Sequence, residues 1–188
     1  MTEAEIIEHF RRARQEQARF FSNAAKPERE RWVVAEFLKT LSVTFSDDEL
    51  VSPNESDDID VVFRDANFQV KELPEPNCLR SSEVRDDLKR AETATKPMEL
   101  FGPLVATDIV YEDAYPSIQR FASDSRYPPA SRAKLDLLVY VTHHHAVVNR
   151  ANQPSELSPS GWRSISCLFG KHAYVLVAAN DAPTFLRA

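Results

Sequence analysis

Three glycines in 188 residues, Gly102, Gly161 and Gly170, are too few and too scattered to build a phosphate-cradling loop. A Walker loop or a dinucleotide fingerprint needs several within about ten positions, so that backbone N–H groups approach phosphate with no Cβ in the way. Both kinds of nucleotide site are excluded. Two cysteines, Cys78 and Cys167, supply neither a cysteine-rich zinc site nor a disulfide framework. No apolar run approaches the roughly 20 residues that span a bilayer. The opening MTEAEIIEHF is acidic and amphipathic and lacks the apolar centre of a signal peptide. Positive charge is also in deficit: 23 Lys and Arg against 29 Asp and Glu leave a formal charge of −6. A surface that grips nucleic acid all over is excluded, whereas a local basic groove is not. What remains is ordinary, with 43% hydrophobic and 28% charged residues. That balance predicts a single domain over 1–188 with a real core, in a soluble cytoplasmic protein with reduced thiols and no membrane partner.

Thr2 and Glu5 fit a capping box that opens a helix over 2–22. Ile6, Phe10, Ala13, Phe20 and Phe21 recur along it at helical spacing. Pro27 is placed to begin a second helix, 27–41, which carries the dense apolar segment 32–38. An acidic, turn-rich stretch follows, with Leu50-Val51 as a brief strand. Then comes the clearest β signal, two alternating segments at 58–63 and 68–73 separated by Arg64 to Asn67 and ended by Pro74 and Pro76. A helix to about Thr95, capped by Ser81 or Ser82, would bury Val84, Leu88 and Ala91. A short strand at 104–106 and a short helix at 115–123 come next. The run 134–142 is apolar enough for a central strand covered on both faces, and 164–169 and 173–179 read as late strands. Helices leading, then strands separated by helices, predict an α/β fold with a mixed central sheet flanked by helices.

Side chains alternate along a strand, so Asp58, Asp60 and Val62 share one face of the hairpin and Ile59, Val61 and Phe63 the other. On the second segment Gln69 and Lys71 share a face. Pairing Phe63 with Phe68 sets Asp60 opposite Lys71 and Val62 opposite Gln69, gathering an acid, an amide and an amine on one face. Read alone, Asp60 opposite Lys71 is also what a solvated cross-strand ion pair looks like.

The arrangement resembles the PD-(D/E)XK, or restriction-endonuclease-like, nuclease superfamily. That resemblance implies a core of helix, three antiparallel strands, helix and further strand, covering here about 27–141, with the N-terminal helix and C-terminal strands added. Asp60 matches the metal-binding Asp, Gln69-Val70-Lys71 matches the acid-x-Lys tripeptide, and Glu36 matches the Glu carried by the preceding helix. Two positions depart from the pattern: Gln69 stands where most members have an acid, and Ile59 stands where a Pro precedes the Asp. The chain also resembles an uncharacterised bacterial family whose members are labelled endonucleases. The resemblance implies Mg²⁺ (or Mn²⁺) held by Asp60, Glu36, Gln69 and the Val70 carbonyl, with Lys71 at the nucleophile, and DNA rather than RNA as substrate. Mg²⁺ takes one or two carboxylates together with waters and phosphate oxygens. A hard cation would neutralise charge on the phosphoryl oxygens, and a lysine beside it would orient the attacking water.

Phosphate contacts would fall to Arg64 at the hairpin turn and to Arg85 and Lys89, with Arg80 and Arg90, on the helix after the hairpin. Trp162 and Arg163 are further candidates for a partner contact. His143 and His145 share a strand face but find no third ligand at recognisable spacing, and no serine sits in a nucleophile-elbow context. A second reading keeps the fold and drops the catalysis: an inactive nuclease-fold module for binding or assembly. The Phe- and Trp-rich first two helices would then serve as a partner or homodimer surface.

Overall fold

The computed structural model describes residues 2–53, 58–74, 80–101, 111–142, 157 and 160–187. Its backbone forms two compact units, 1–29 with 74–106 and 30–73 with 107–188.

The first unit is helical. α1 (Glu3–Phe20) begins at the expected capping box: the Thr2 N–H donates to Glu5 Oε2 at 2.6 Å and the Glu5 N–H to Thr2 Oγ1 at 3.3 Å. Ile7, with Ile6 and Phe10 beside it, packs against Ala91 and Ala94 near the end of α3 (Arg80–Thr93) and against Leu100. Arg14 ties the two helices through Asp87 at 3.2 Å. The strand expected at 104–106 lies outside the described residues, as do Cys78 and the histidines 143–145.

The second unit is a five-stranded mixed sheet in the order β1-β2-β3-β4-β5. β1 (Val61–Phe63) and β2 (Ala66–Pro74) form the antiparallel hairpin. β3 (Asp136–Thr142) and β4 (Ser164–Phe169) run parallel, and β5 (His172–Ala178) returns antiparallel along β4. The brief strand expected at Leu50-Val51 is a single antiparallel bridge, Val51 to Val62. The apolar run at 134–142 does become the middle strand, with six of its seven residues buried. α2 (Lys26–Thr40) covers one face of the sheet: Val33, Val34, Phe37 and Leu38 pack on Val61, Phe63, Phe68, Leu138 and Leu168. α4 (Tyr111–Ala122) covers the other, where Ala114, Ile118 and Ala122 meet Leu73, Leu137, Val139, Ile165 and Cys167. A four-residue helix, α5 (Pro129–Arg132), leads into β3. No helix among the described residues is long and apolar enough to cross a membrane.

The hairpin register differs from the expected one. Phe63 pairs with Ala66, and Val61 pairs with Phe68. The turn is therefore two residues, Arg64-Asp65, tightened by a positive φ of 52° at Arg64. Arg64 is fixed there by Glu49 at 2.8 Å, by the Thr44 carbonyl at 2.9 Å and by its guanidinium lying 4.6 Å from the Phe63 ring centroid. These tertiary contacts select the shorter turn. A slip of two residues, unlike a slip of one, leaves every side chain on its expected face.

Candidate functional site

Because the slip is even, the polar face of the hairpin survives and only its partners change. With this register Gln69, not Lys71, meets the Asp60 carboxylate. Gln69, only 4% exposed, donates its Nε2–H to Asp60 Oδ2. The Val70 N–H donates to the same oxygen at 2.9 Å, while the Asp60 N–H reaches the Phe68 carbonyl at 2.9 Å. β1 begins at Val61, so the Asp60 carboxylate takes the place of a strand carbonyl for Val70 just where the ladder runs out. A buried backbone donor left unmatched is costly, which explains why an acid is well placed at this strand end.

Lys71 stands one same-face position beyond Gln69, roughly 7 Å along the strand. Its ammonium lies 5.2 Å from the centroid of the Tyr127 ring, a cation–π arrangement. Tyr127 is itself buried and packs at a tilt against Trp162, with ring centroids 5.3 Å apart. Trp162 is anchored in turn through its indole N–H to the Ala122 carbonyl at 2.8 Å. The loop that presents Tyr127 carries Asp124, which accepts from the Arg126 side chain at 2.6 and 2.9 Å and from the Arg126 backbone N–H at 3.0 Å. Those hydrogen bonds, the guanidinium first, hold the Asp124 carboxyl down at about 2, and the charge of Lys71 adds a smaller pull in the same direction. Neither Tyr127 nor Asp124 stands out in the sequence. They reach Lys71 through a turn some 55 residues away.

Glu36 is placed differently. It lies on α2, the helix that covers the Val61, Phe63 and Phe68 face, whereas Gln69 and Lys71 project from the opposite one. Its carboxylate pairs with Lys39 Nζ at 2.8 Å. The structure thus brings Asp60, Gln69 and Lys71 to one face and leaves Glu36 with the helix behind it. Among the described residues no three His, Cys, Asp or Glu side chains gather into a cage for a metal ion. One carboxylate beside an amide suits a hard cation that takes its remaining ligands from water and phosphate oxygens, and does not suit a closed structural site.

The expected phosphate contacts are also redistributed. Arg64 is spent on the hairpin turn, as described above. Arg85 and Lys89 lie on the exposed side of α3 in the first unit. Trp162 and Arg163, expected in a loop open to a partner, are instead internal. Trp162 is 2% exposed, and Arg163 forms a doubly hydrogen-bonded ion pair with the fully buried Asp136. Asp136 also accepts from the Asn67 N–H at 2.9 Å and from Ser164 Oγ at 2.8 Å, and Arg163 reaches the Asp65 carbonyl at 2.9 Å. This network clamps the hairpin turn to the starts of β3 and β4. The sequence held a signal for it: a lone acid in an otherwise apolar central strand must find a cation when buried.

Residues 2–188 match the family described as "Putative endonuclease, protein of unknown function (DUF1780)". A solved structure with a TM-score of 0.63 and 27% sequence identity covers 100% of this chain and 92% of its own. It is a protein of unknown function from Pseudomonas aeruginosa strain PAO1, described as belonging to the monooxygenase superfamily. No curated protein matches the sequence.

Proposed function

We propose that this chain, which belongs to the endonuclease-labelled DUF1780 family, hydrolyses phosphodiester bonds in DNA at the face formed by Asp60, Gln69 and Lys71, on a restriction-endonuclease-like core. The observation that carries the reading is the Asp60–Gln69 hydrogen bond on the hairpin face that also carries Lys71, whose ammonium lies over the Tyr127 ring. Asp60 is the principal ligand for Mg²⁺ or Mn²⁺, aided by Gln69 and the Val70 carbonyl. The ion, when bound, would supply positive charge against the phosphoryl oxygens and a more acidic water. Gln69 holds the Asp60 carboxylate in a fixed orientation. Lys71 directs its ammonium at a phosphoryl oxygen or at the attacking water, and its charge opposes the negative charge that grows in the transition state. With one carboxylate in place of two or three, cation affinity is low until phosphate oxygens complete the shell. Metal and DNA therefore bind cooperatively.

The test is nicking of supercoiled DNA by purified protein in Mg²⁺ or Mn²⁺. Lys71→Ala and Asp60→Asn should each lower its rate by at least about a hundred-fold while the circular dichroism spectrum stays unchanged. Equal activity in wild type and Lys71→Ala would identify a contaminant and end the reading.

One observation favours the second reading, an inactive nuclease-fold module. Asp60 has a complete structural occupation in capping the Val70 N–H and accepting from Gln69, which it would keep with no chemistry at all. That reading predicts no heat on titrating Mg²⁺ into the protein with a non-cleavable DNA present.

A further inference from the structure

Beyond the polar face, the far edge of the sheet carries a second message. A groove of about 470 Å³ is lined by the consecutive residues Val175 to Asn180, with Leu186 and Arg187 closing one side. Alternate residues of a strand point to opposite faces. A run of neighbours can share one wall only if the strand turns its edge, with its N–H and C=O groups, toward the space. β5 is the last strand of the sheet, so that edge has no further strand among the described residues.

The geometry of the β4–β5 hairpin says which groups face outward. Phe169 pairs with His172 across the two-residue turn Gly170-Lys171, and the pair that closes such a turn is hydrogen-bonded. Hydrogen-bonded pairs alternate along the ladder, so His172 and Tyr174 bond inward to β4. Ala173 and Val175 then present their N–H and C=O groups outward from the sheet edge, Val175 at the start of the groove. The segment Ala173 to Ala179 contains no charge and no proline, which are the usual devices for blunting a strand edge. The edge does have one such device, a bulge at Leu176 opposite Ile165 and Ser166, which lies within the groove and leaves Ala173 and Val175 in regular register on one side of it.

We propose that β5 pairs edge to edge with β5 of a second copy of this chain, in antiparallel sense, to give a two-fold dimer with a continuous ten-stranded sheet. Charge placement decides both the partner and the direction. Lys171 precedes the strand, Asp181 follows it, and both are exposed. A two-fold axis near Leu176, midway between them, brings each Lys171 toward the other copy's Asp181. A parallel arrangement would instead oppose like charges. Any one surface patch that carries a cation at one end and an acid at the other is complementary to itself under two-fold rotation.

The experiment is sedimentation equilibrium of the full chain from low micromolar to near-millimolar concentration, combined with amide hydrogen exchange at both ends of that range. A monomer–dimer equilibrium is expected, with the Ala173 and Val175 amides protected when concentrated and open when dilute. Lys171→Glu and Asp181→Lys lie outside the strand and should each weaken the dimer roughly ten-fold, because two attractive contacts become repulsive, while the double swap restores it. A chain that stays monomeric throughout would overturn the proposal and leave the edge to an extended segment of another protein. A dimer indifferent to both single swaps, with Ala173 and Val175 still exchanging freely, would overturn it as well. DNA cleavage is not a readout here, so the outcome stands apart from that of the endonuclease reading.

Discussion

The two faces of one hairpin have been put to opposite uses. Toward α2, Val61, Phe63 and Phe68 are wholly buried, and the Phe37 ring meets Phe68 edge-on at 6.1 Å between centroids. Toward α4 the same strands offer Gln69, Lys71 and the Asp60 carboxylate before Leu73 rejoins the core. The first face supplies stability by removing apolar area from water. The second keeps polar groups partly covered, each held by a specific neighbour, which is the condition a reactive site needs. Removing a side chain should therefore have opposite consequences on the two sides. One change costs stability with little bearing on chemistry, and the other costs chemistry with little bearing on stability.

The largest expected effect is on the polar face. Lys71→Ala should lower the rate of DNA nicking by about 10²–10⁴-fold, the range for loss of a positioned proton-handling group, with the urea midpoint almost unmoved. Loss of stability in proportion to activity would erase the contrast between the faces. On the apolar face, Phe68→Ala should destabilise by about 3–5 kcal/mol through lost burial and the cavity left behind. Chemical denaturation measures it, and kcat per folded molecule should hold. Asp60→Asn sits between the two, because an Asn oxygen can still accept from Val70. We expect about 1 kcal/mol of destabilisation together with a fall in nicking on the scale of that for Lys71→Ala, and unchanged nicking would assign Asp60 to the strand end alone. Glu36→Gln sharpens the comparison further. It removes an exposed pair with Lys39 on the helix behind the hairpin, so both nicking rate and stability should change little. A large fall in activity would show that α2 carries its glutamate to the site on substrate binding.

The smallest effect concerns pH. Asp124 is held at about 2 in the fold against an ordinary value of 3.8. A depressed carboxylate contributes stability that is complete above the unfolded value and fades as pH falls through the folded one. Between pH 4 and pH 2, wild type should thus lose its advantage over Asp124→Asn, as read from urea midpoints at each pH. A difference that stays constant across that window would mean the Arg126 contacts do not act on the charge of Asp124.

Much of this was open to reading from the residues. The capping box at Thr2 and Glu5, the Pro27 helix start, the hairpin, and the middle placement of 136–142 all follow from local chemistry: side chains that satisfy helix-end N–H groups, fixed φ at proline, and hydrophobic periods of 3.6 or 2. The faces of the hairpin followed too, since alternation survives any even slip. The register did not. It rests on Arg64 reaching Glu49 and Thr44, two contacts made 15 and 20 residues away. Arg163 likewise read as a surface cation, because nothing local marks its partner as Asp136.

Sequence alone therefore determined which residues of this chain share a strand face or a helix, because that depends only on short-range geometry repeated along the backbone. Only the tertiary structure decided which face each helix covers, that Glu36 sides with Lys39, and that Tyr127 and Asp124 flank Lys71. Those outcomes depend on segments far apart in the chain burying apolar area together, and no local pattern encodes that choice.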